Sequence, residues 1–301
     1  MAVRTTRTRE EARVTIDHAR CRQCGLCVAV CGMTLTMQEG RVRVTAGQGF
    51  GCIGCGQCMA VCPEGCINVE GRTLTPQDVW PLSPAQAQAS YESLRALMVA
   101  RRGVRKYKEQ NVEPATVEQI LAAAAMAPMG LPPSDVSVMV LENREKVEQF
   151  SDDFVEYIKR KRWLFSAPAV GLLRPFIGRE TAEMMTDFVR PFMDLAIEGK
   201  KRGEDFVLYG APLAMLFQAS PYSDPADPHI AATYAMLAAE ALGLGTCMIG
   251  TVAPVLKHAG ALKAKYSVRP DMRQGLMVLF GYPAISYSRG IRRTFARIDY
   301  V

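Results

Sequence analysis

The sequence "CRQCGLCVAVCG" (Cys21–Gly32) places four cysteines at intervals of three, three and four residues. The same spacing returns in "CIGCGQCMAVCP" (Cys52–Pro63). Short segments in which apolar and polar residues alternate stand before, between and after the two runs, in "RVTID", "RVRVTAG" and "CINVEGRTL", and this alternation predicts short strands. The N-terminal quarter is therefore an internal repeat of strand and cysteine run, and pseudo-symmetry between two copies is the simplest expectation.

This spacing is that of the iron–sulfur run of bacterial ferredoxins, in which three cysteines curl around one cubic cluster and the fourth ligates the other cluster. Residues from about 10 to 72 resemble two-cluster [4Fe-4S] ferredoxins. The resemblance implies that the first cluster is bound by Cys21, Cys24, Cys27 and Cys62. It implies that the second is bound by Cys52, Cys55, Cys58 and Cys31. One departure is Gly32, which stands where the ferredoxin pattern has proline.

Two glycines stand between predicted ligands, at Gly25 and Gly56. We expect the backbone to turn tightly there and to offer N–H groups to sulfide. Zinc is the alternative metal, but structural zinc sites usually pair two C-x2-C units across a gap of about 15 to 20 residues. Three thiols at C-x2-C spacing followed by a fourth are a different arrangement. Cys66 and Cys247 fall outside the two runs, and we interpret both as packing residues, with a replacement ligand as the alternative for Cys66.

Bulk properties exclude some classes of protein. The chain has 301 residues, enough for two domains, and its N-terminus has no apolar signal core. Together with cysteines in metal-binding spacing, this favours a reducing cytoplasm. The net charge of +6 suits an anionic cofactor or an acidic redox partner without arguing for nucleic acid. The longest apolar run contains Glu240 and Pro254, so we expect no membrane partner. Because the net charge is modest, we expect no nucleic-acid partner either.

The composition divides the chain into three parts. Residues 1–75 form the cysteine-rich ferredoxin-like domain, and 76–90 form a proline-rich connector. In residues 91–301, helical periodicity alternates with strand-like segments such as "DVSVMVLEN", "APLAMLFQAS" and "QGLMVLFGYP". Interleaved helices and strands predict an α+β or α/β sheet domain.

Four segments of the second domain occur in a telling order: "RRGVRKY" (Arg101–Tyr107), "APMGLPPSD" (Ala127–Asp135), "GLGTCMIGT" (Gly243–Thr251) and "SRGIRRTF" (Ser288–Phe295). Alone, each is typical of a solvated helix face, a loop, a helix cap or a basic tail. The third lacks the G-x-G-x-x-G order of a dinucleotide fold. Together they resemble the FMN-dependent nitroreductase family over roughly residues 92–301.

The resemblance implies an α+β sandwich with a central, mainly antiparallel sheet, and a homodimer with FMN at an interface built from both chains. It implies FMN contacts from Arg101, Arg102, Gly103, Arg105, Pro128, Met129, Gly130, Ile249, Gly250, Arg292 and Arg293. The arginines suit phosphate because guanidinium binds it bidentately. Two departures concern Gly103, where many members have serine, and Pro132–Pro133, where many have asparagine.

These observations predict a nitroreductase-like, FMN-dependent oxidoreductase. Electrons would pass between two [4Fe-4S] clusters and FMN to reduce a small electrophile, such as a nitro compound, a quinone or an activated alkene. Two alternatives stay open: an electron relay to a protein partner, and a redox sensor without turnover. The donor is either NAD(P)H or reduced ferredoxin, and no catalytic residue is nominated. Four aromatic residues we interpret as core packing, or as a lid or substrate face: Trp163, Phe165, Phe176 and Phe188.

Overall fold

The computed structural model describes residues 8–45, 51–272 and 274–301. The chain forms two compact units. The first consists of Met1–Ser90 together with two later segments, Ala127–Ser137 and Ala219–Pro228. The second consists of Tyr91–Met126, Val138–Gln218 and His229–Val301.

The first unit contains the repeat that the sequence predicts. Strand β1 (Arg13–Ile16) pairs antiparallel with β4 (Ile67–Glu70), and β2 (Leu35–Gln38) pairs antiparallel with β3 (Arg41–Val44). Each cysteine run supplies one short helix, α1 (Leu26–Val30) or α2 (Gln57–Ala60).

The core of the first unit is small. Val42 and Val69 are each 1% exposed, and they pack with Leu35 and Ile67 in one cluster that also contains the buried Cys27 and Cys58 side chains. Alternation along β4 turns Ile67 and Val69 inward, because successive strand side chains point to opposite faces. Two of the predicted ligands therefore belong to the core itself.

The second unit is built on a four-stranded sheet in the order β5 (Ser137–Leu141), β6 (Leu213–Ala219), β8 (Gln274–Gly281) and β7 (Gly245–Ile249). β7 pairs antiparallel with β8, with Gly245 opposite Gly281 and Ile249 opposite Met277. All seven residues of β6 are buried, as expected of a strand covered on both faces. The helices are α3 (Tyr91–Ala100), α4 (Pro114–Ala125), α5 (Arg144–Lys161), α6 (Ala167–Ile177), α7 (Arg179–Met184), α8 (Arg190–Lys201), α9 (Asp227–Ala241), α10 (Val252–Leu256) and α11 (Gly260–Lys265). The predicted α+β fold with antiparallel pairing is confirmed.

Helix α5 shows how the core of this unit forms. Asn143 caps it, since its side chain accepts a hydrogen bond from the N–H of Lys146 at 2.9 Å. Apolar residues recur every three or four positions, which places Phe150 and Phe154, both fully buried, on one face. The ring of Phe150 meets that of Tyr266 edge to face, with centroids 4.8 Å apart.

The segment from α6 to α8 is more exposed. A π-helical turn (Met185–Val189) precedes α8, next to Pro191, whose missing N–H disturbs the α-helical ladder. Trp163, Phe176 and Phe188 are 66%, 86% and 58% exposed, so core packing is wrong for these three. Phe165 is half-buried and packs against the core. Of the helices in the described ranges, none combines the length and apolarity that a membrane crossing needs.

Candidate cofactor sites

Eight of the nine cysteines of the first unit gather in two groups of four. Cys21, Cys24, Cys27 and Cys62 line one cavity. Burial, and then the nearby charges of Cys21 and Cys62, raise the pKa of the Cys27 thiol.

In the second group, burial and the neighbouring charges of Cys31, Cys52 and Cys55 raise the pKa of Cys58 to about 12. The fourth cysteine of each run therefore lies beside the first three of the other run, in the crossed pattern that the ferredoxin resemblance implies. That these thiols bind iron remains a prediction.

The two crossing cysteines, Cys31 and Cys62, share a distinct environment. Desolvation acts to raise the pKa of each, but hydrogen bonds outweigh it and lower both. In each case the donors are the backbone N–H groups of the residues two, three and four positions further along, together with one side chain. This nest of N–H groups favours the thiolate, which is the form that ligates metal.

The glycines between the predicted ligands turn as expected. Gly25 and Gly56 have φ of 75° and 73°, in the left-handed region, and each stands immediately before the short helix of its run. A residue with a Cβ is strained in this conformation. Across residues 8–45, 51–272 and 274–301, no group of three or more histidine, cysteine or acidic side chains is arranged to hold a single metal ion. The first group of thiols instead lines a cavity.

In the second unit, the arginine-rich segment adds to the free edge of β7. Gly103 pairs with Thr246 in parallel, and the N–H of Val104 donates to the carbonyl of Thr246 at 2.9 Å. Val104 is buried directly over Gly245, where an added Cβ would lie 2.5 Å from the Val104 side chain. Gly245 is thus needed for the close approach of the two segments.

Three arginines surround this contact. The Arg105 guanidinium lies 5.5 Å from the ring centroid of Tyr209. Burial raises the pKa of the Cys247 thiol, and Arg105 and then Arg101 act against that rise. Burial likewise raises the pKa of Glu240 against the opposing charges of Arg101 and Arg102. Three of the five predicted arginines therefore lie near the contact between Gly103 and β7.

A cavity of about 940 Å³ opens beside this cluster, within the size range of small-molecule sites. Its wall includes Arg102, Val104, Glu240, Gly245 and Arg289. Arg102 also donates to the carbonyl oxygen of Arg289, with a nitrogen–oxygen distance of 3.4 Å. Arg289 was not among the predicted contacts, although it lies in the quoted segment "SRGIRRTF". The clustering of three arginines in that segment was the sequence signal that could have identified Arg289.

These residues fit an anionic ligand that can accept hydrogen bonds. The guanidiniums carry fixed positive charge, and the buried Thr246 hydroxyl lacks a hydrogen-bond partner among the described residues. An added Cβ at Gly103 would meet the Cys247 sulfur at 4.0 Å, so there is room beside the segment. A phosphorylated cofactor such as FMN has the charge and polarity that this set of donors requires.

The other predicted contacts lie in several places. Pro128, Met129 and Gly130 belong to the first unit, where the N–H of Gly130 donates to Asp227 Oδ1 at 3.0 Å. Ile249 is buried at the end of β7, and Gly250 follows it in an exposed position. Arg292 and Arg293 are exposed in the C-terminal segment. The roles of these residues stay predictions.

Comparison with known proteins agrees with this division. Residues 98–282 match the model of the nitroreductase family, and residues 13–63 match that of the 4Fe-4S dicluster domain. A nitroreductase with bound FMN from Bacteroides fragilis is 19% identical, and the match covers 69% of this chain and 98% of that one with a TM-score of 0.50. A nitroreductase with bound FMN from Desulfitobacterium hafniense is 18% identical, with 69% and 97% covered and the same TM-score.

At this identity the likeness shows the fold. A search of curated proteins found no match. The nitroreductase model spans more than half of the chain, from the end of α3 to the end of β8. The chain therefore belongs to the nitroreductase family and carries a 4Fe-4S dicluster domain ahead of its nitroreductase domain.

Proposed function

We propose that the protein is an iron–sulfur flavoprotein oxidoreductase that passes electrons between two [4Fe-4S] clusters and FMN and reduces a small electrophilic acceptor. One observation carries the proposal: a single chain combines the two crossed groups of four thiols with an arginine-lined site in a nitroreductase domain. Clusters pass single electrons, and a flavin accepts one or two. The pair therefore suits a two-electron reduction supplied by one-electron carriers.

The cysteine groups would hold the clusters and shield them. Cys27 and Cys58, each 6% exposed, place one ligand of each cluster inside the core. Hydrogen bonds from their N–H nests lower the pKa of Cys31 and Cys62 and so favour the thiolate. Burial and hydrogen bonds to sulfur are two of the factors that set cluster potentials. The first unit would thus control both cluster retention and cluster potential.

In the second unit, the residues around Gly103 would bind FMN. The solved nitroreductases named above contain FMN, which supports this assignment. Arg101 and Arg102 would take the phosphate and ribityl side, and Arg105 would stabilise negative charge on the ring, since guanidinium keeps its charge at all physiological pH values. Further contacts are proposed from Gly103, Pro128, Met129, Gly130, Ile249, Gly250, Arg292 and Arg293.

Two titratable neighbours of Arg105 do not suit proton abstraction. Burial raises the pKa of Cys247 and that of Tyr107, so both hold their protons at neutral pH. The Tyr107 hydroxyl also donates to the Val104 carbonyl at 2.6 Å. We therefore assign these side chains to holding the 103–107 segment in place. As the family resemblance implies, we propose a homodimer, which light scattering of the purified protein will test.

The decisive experiment is an anaerobic titration of the full-length protein with NADH, NADPH and reduced ferredoxin in parallel, with iron–sulfur and flavin absorption followed separately. We expect one donor to reduce both chromophores. The reduced protein should then be reoxidised, with multiple turnovers, by a nitro compound, a quinone or an activated alkene. Reoxidation by a protein acceptor alone would favour the relay. A preparation without flavin would refute the proposal.

A further inference from the structure

Cys66 is outside the eight predicted ligands but interacts with two predicted ligands of the first group, Cys62 and Cys21. Its sulfur lies 3.4 Å from the sulfur of Cys62, and its backbone N–H donates to that same sulfur at 3.5 Å. The Cys66 side chain is 3% exposed and lines the cavity formed by the first group of thiols. A buried S–H group therefore lies within hydrogen-bonding distance of a predicted ligand.

The internal repeat supplies a comparison within the same chain. The residue four positions after Cys31 is Leu35, which is buried and apolar, whereas the residue four positions after Cys62 is Cys66. A hydrophobic side chain therefore fills the equivalent place in the other copy, and packing alone does not call for a thiol.

The side-chain donor of the other copy comes from a different position. Thr34, three residues after Cys31, has its hydroxyl oxygen 3.3 Å from the Cys31 sulfur. The equivalent residue after Cys62 is Gly65, which has no side-chain donor. Each crossing cysteine thus has one side-chain donor, a hydroxyl in one copy and a thiol in the other.

The direction of the hydrogen bond follows from the chemistry of ligation. A cysteine bound to iron is a thiolate and accepts hydrogen bonds. The proton between the two sulfurs must then belong to Cys66. Reduction of the cluster adds negative charge that its sulfur ligands share, so a donor to one of them stabilises the reduced state more than the oxidised state.

We propose that Cys66 is a positioning residue for the first cluster, donating an S–H···S hydrogen bond to the Cys62 ligand and raising the reduction potential of that cluster independently of the second. The inference rests on the cluster assignment of the proposed function. Thr34 acts in the same way on Cys31, and the two clusters are therefore tuned separately by unlike donors.

The test is an EPR-monitored redox titration of the full-length protein with both clusters present. We expect C66A to lower the midpoint potential of one cluster. The one-electron equilibrium constant for reduction of that cluster should fall about fivefold, which is the scale of one net hydrogen bond. At 59 mV per tenfold change this is about 40 mV. The other cluster should keep its midpoint. C66S retains a donor and should stay near the wild-type value.

T34V is the matched variant in the other copy, because valine has nearly the shape of threonine without its hydroxyl. It should lower the midpoint that C66A leaves unchanged. The proposal is overturned if C66A leaves both midpoints in place or moves both together. It is also overturned if C66S shifts the potential as far as C66A does.

Iron content separates this inference from the proposed function. Wild-type protein without iron would refute the cluster assignment itself. A second outcome is that the wild type contains the full iron of two [4Fe-4S] clusters and C66A contains half of it. Cys66 would then be a ligand or a structural requirement, and the proposed tuning role would be wrong. Should C66A not accumulate, exchange into D₂O must shift the Fe–S(Cys) stretching bands of one cluster by different amounts in the wild type and in C66S, since the two proteins differ only in the side-chain donor to Cys62. Equal shifts would count against the hydrogen bond.

Discussion

The guanidinium of Arg72 donates from Nε to the carbonyl oxygen of Ile53 at 2.9 Å, one residue after the predicted ligand Cys52. It also donates to the carbonyl oxygens of Glu10 at 2.7 Å and Pro132 at 2.6 Å. Arg72 is 3% exposed. One buried charge therefore holds three segments of the first unit together, including the loop that carries the second cysteine run.

Replacing Arg72 with methionine should loosen this loop. The substitution keeps much of the side-chain volume but leaves three carbonyls without their charged donor, and we expect a cost of about 2 to 3 kcal/mol in the stability of the unit. The measurement is the rate at which a chelator bleaches the clusters. R43M, at an exposed position of β3, is the control. Equal bleaching rates in the two variants would show that Arg72 does not hold the loop.

The glycines before α1 and α2 lead to a second prediction. At Gly56 an added Cβ would meet Leu74 only at 3.4 Å, an ordinary contact, so the cost of G56A is that of placing a Cβ at a φ of 73°. We expect about 1 to 2 kcal/mol and a lower melting temperature of the cluster-loaded protein. G25A should behave alike, since its Cβ would meet Met37 at 3.5 Å.

Gly32 is the matched control for these two variants. Its φ lies outside the left-handed region, and an added Cβ there would meet nothing within 4 Å. The melting temperature of G32A should therefore equal that of the wild type. A melting temperature of G56A equal to that of G32A would contradict the strain argument.

Regular spacing made the first unit predictable from its sequence. The repeat of the cysteine run indicated two copies, and the family resemblance supplied the crossing of Cys31 and Cys62. In the structure each of these cysteines lies near the first three of the other run, and their roles as ligands stay predictions. Arg72 escaped sequence analysis because its partners lie about sixty residues away on either side, at Glu10 and Pro132. The pairing of Cys66 with Cys62 was equally hidden, since a buried cysteine and a hydrogen-bonding cysteine have the same letter.

The second unit was predictable to a lesser extent. Strong hydrophobic segments indicated β5, β6 and β8, and the motif order located Arg101–Arg105. The contact of Arg102 with Arg289 depends on the path of the chain after β8, which periodicity does not determine. Sequence reasoning accordingly favoured Arg292 and Arg293 from the same short basic segment.

A third prediction concerns the packing of Val104 on Gly245. In G245A the new methyl group would lie 2.5 Å from Val104 and 3.0 Å from Pro283, so one of these must move. Overpacking of this kind costs about 1 to 3 kcal/mol. Because it displaces the segment that carries Arg102 and Arg105, FMN affinity should fall about tenfold or more in fluorescence titrations. G260A, where an added Cβ meets nothing within 4 Å, should bind FMN like the wild type. If G245A binds FMN with unchanged affinity, the packing of Val104 on Gly245 does not contribute to flavin binding.

The last prediction is a pH dependence that originates at Asp227. This carboxyl group is 3% exposed. Burial raises its pKa above the ordinary 3.8, the N–H of Gly130 acts to lower it, and the charge of Asp224 raises it again. The folded state therefore keeps the proton at pH values where the unfolded chain has lost it. The stability that Asp227 contributes is fully present at pH values below its ordinary pKa. It is lost as the pH rises through its pKa in the folded state.

Asparagine at position 227 cannot ionise, but its carbonyl can still accept from Gly130. The melting temperature of D227N minus that of the wild type should therefore increase as the pH rises from about 4 towards 7. Taking this difference cancels the acid sensitivity that the clusters give to both proteins. A difference that does not change between these pH values would mean that Asp227 is as easily ionised in the folded protein as in the unfolded chain.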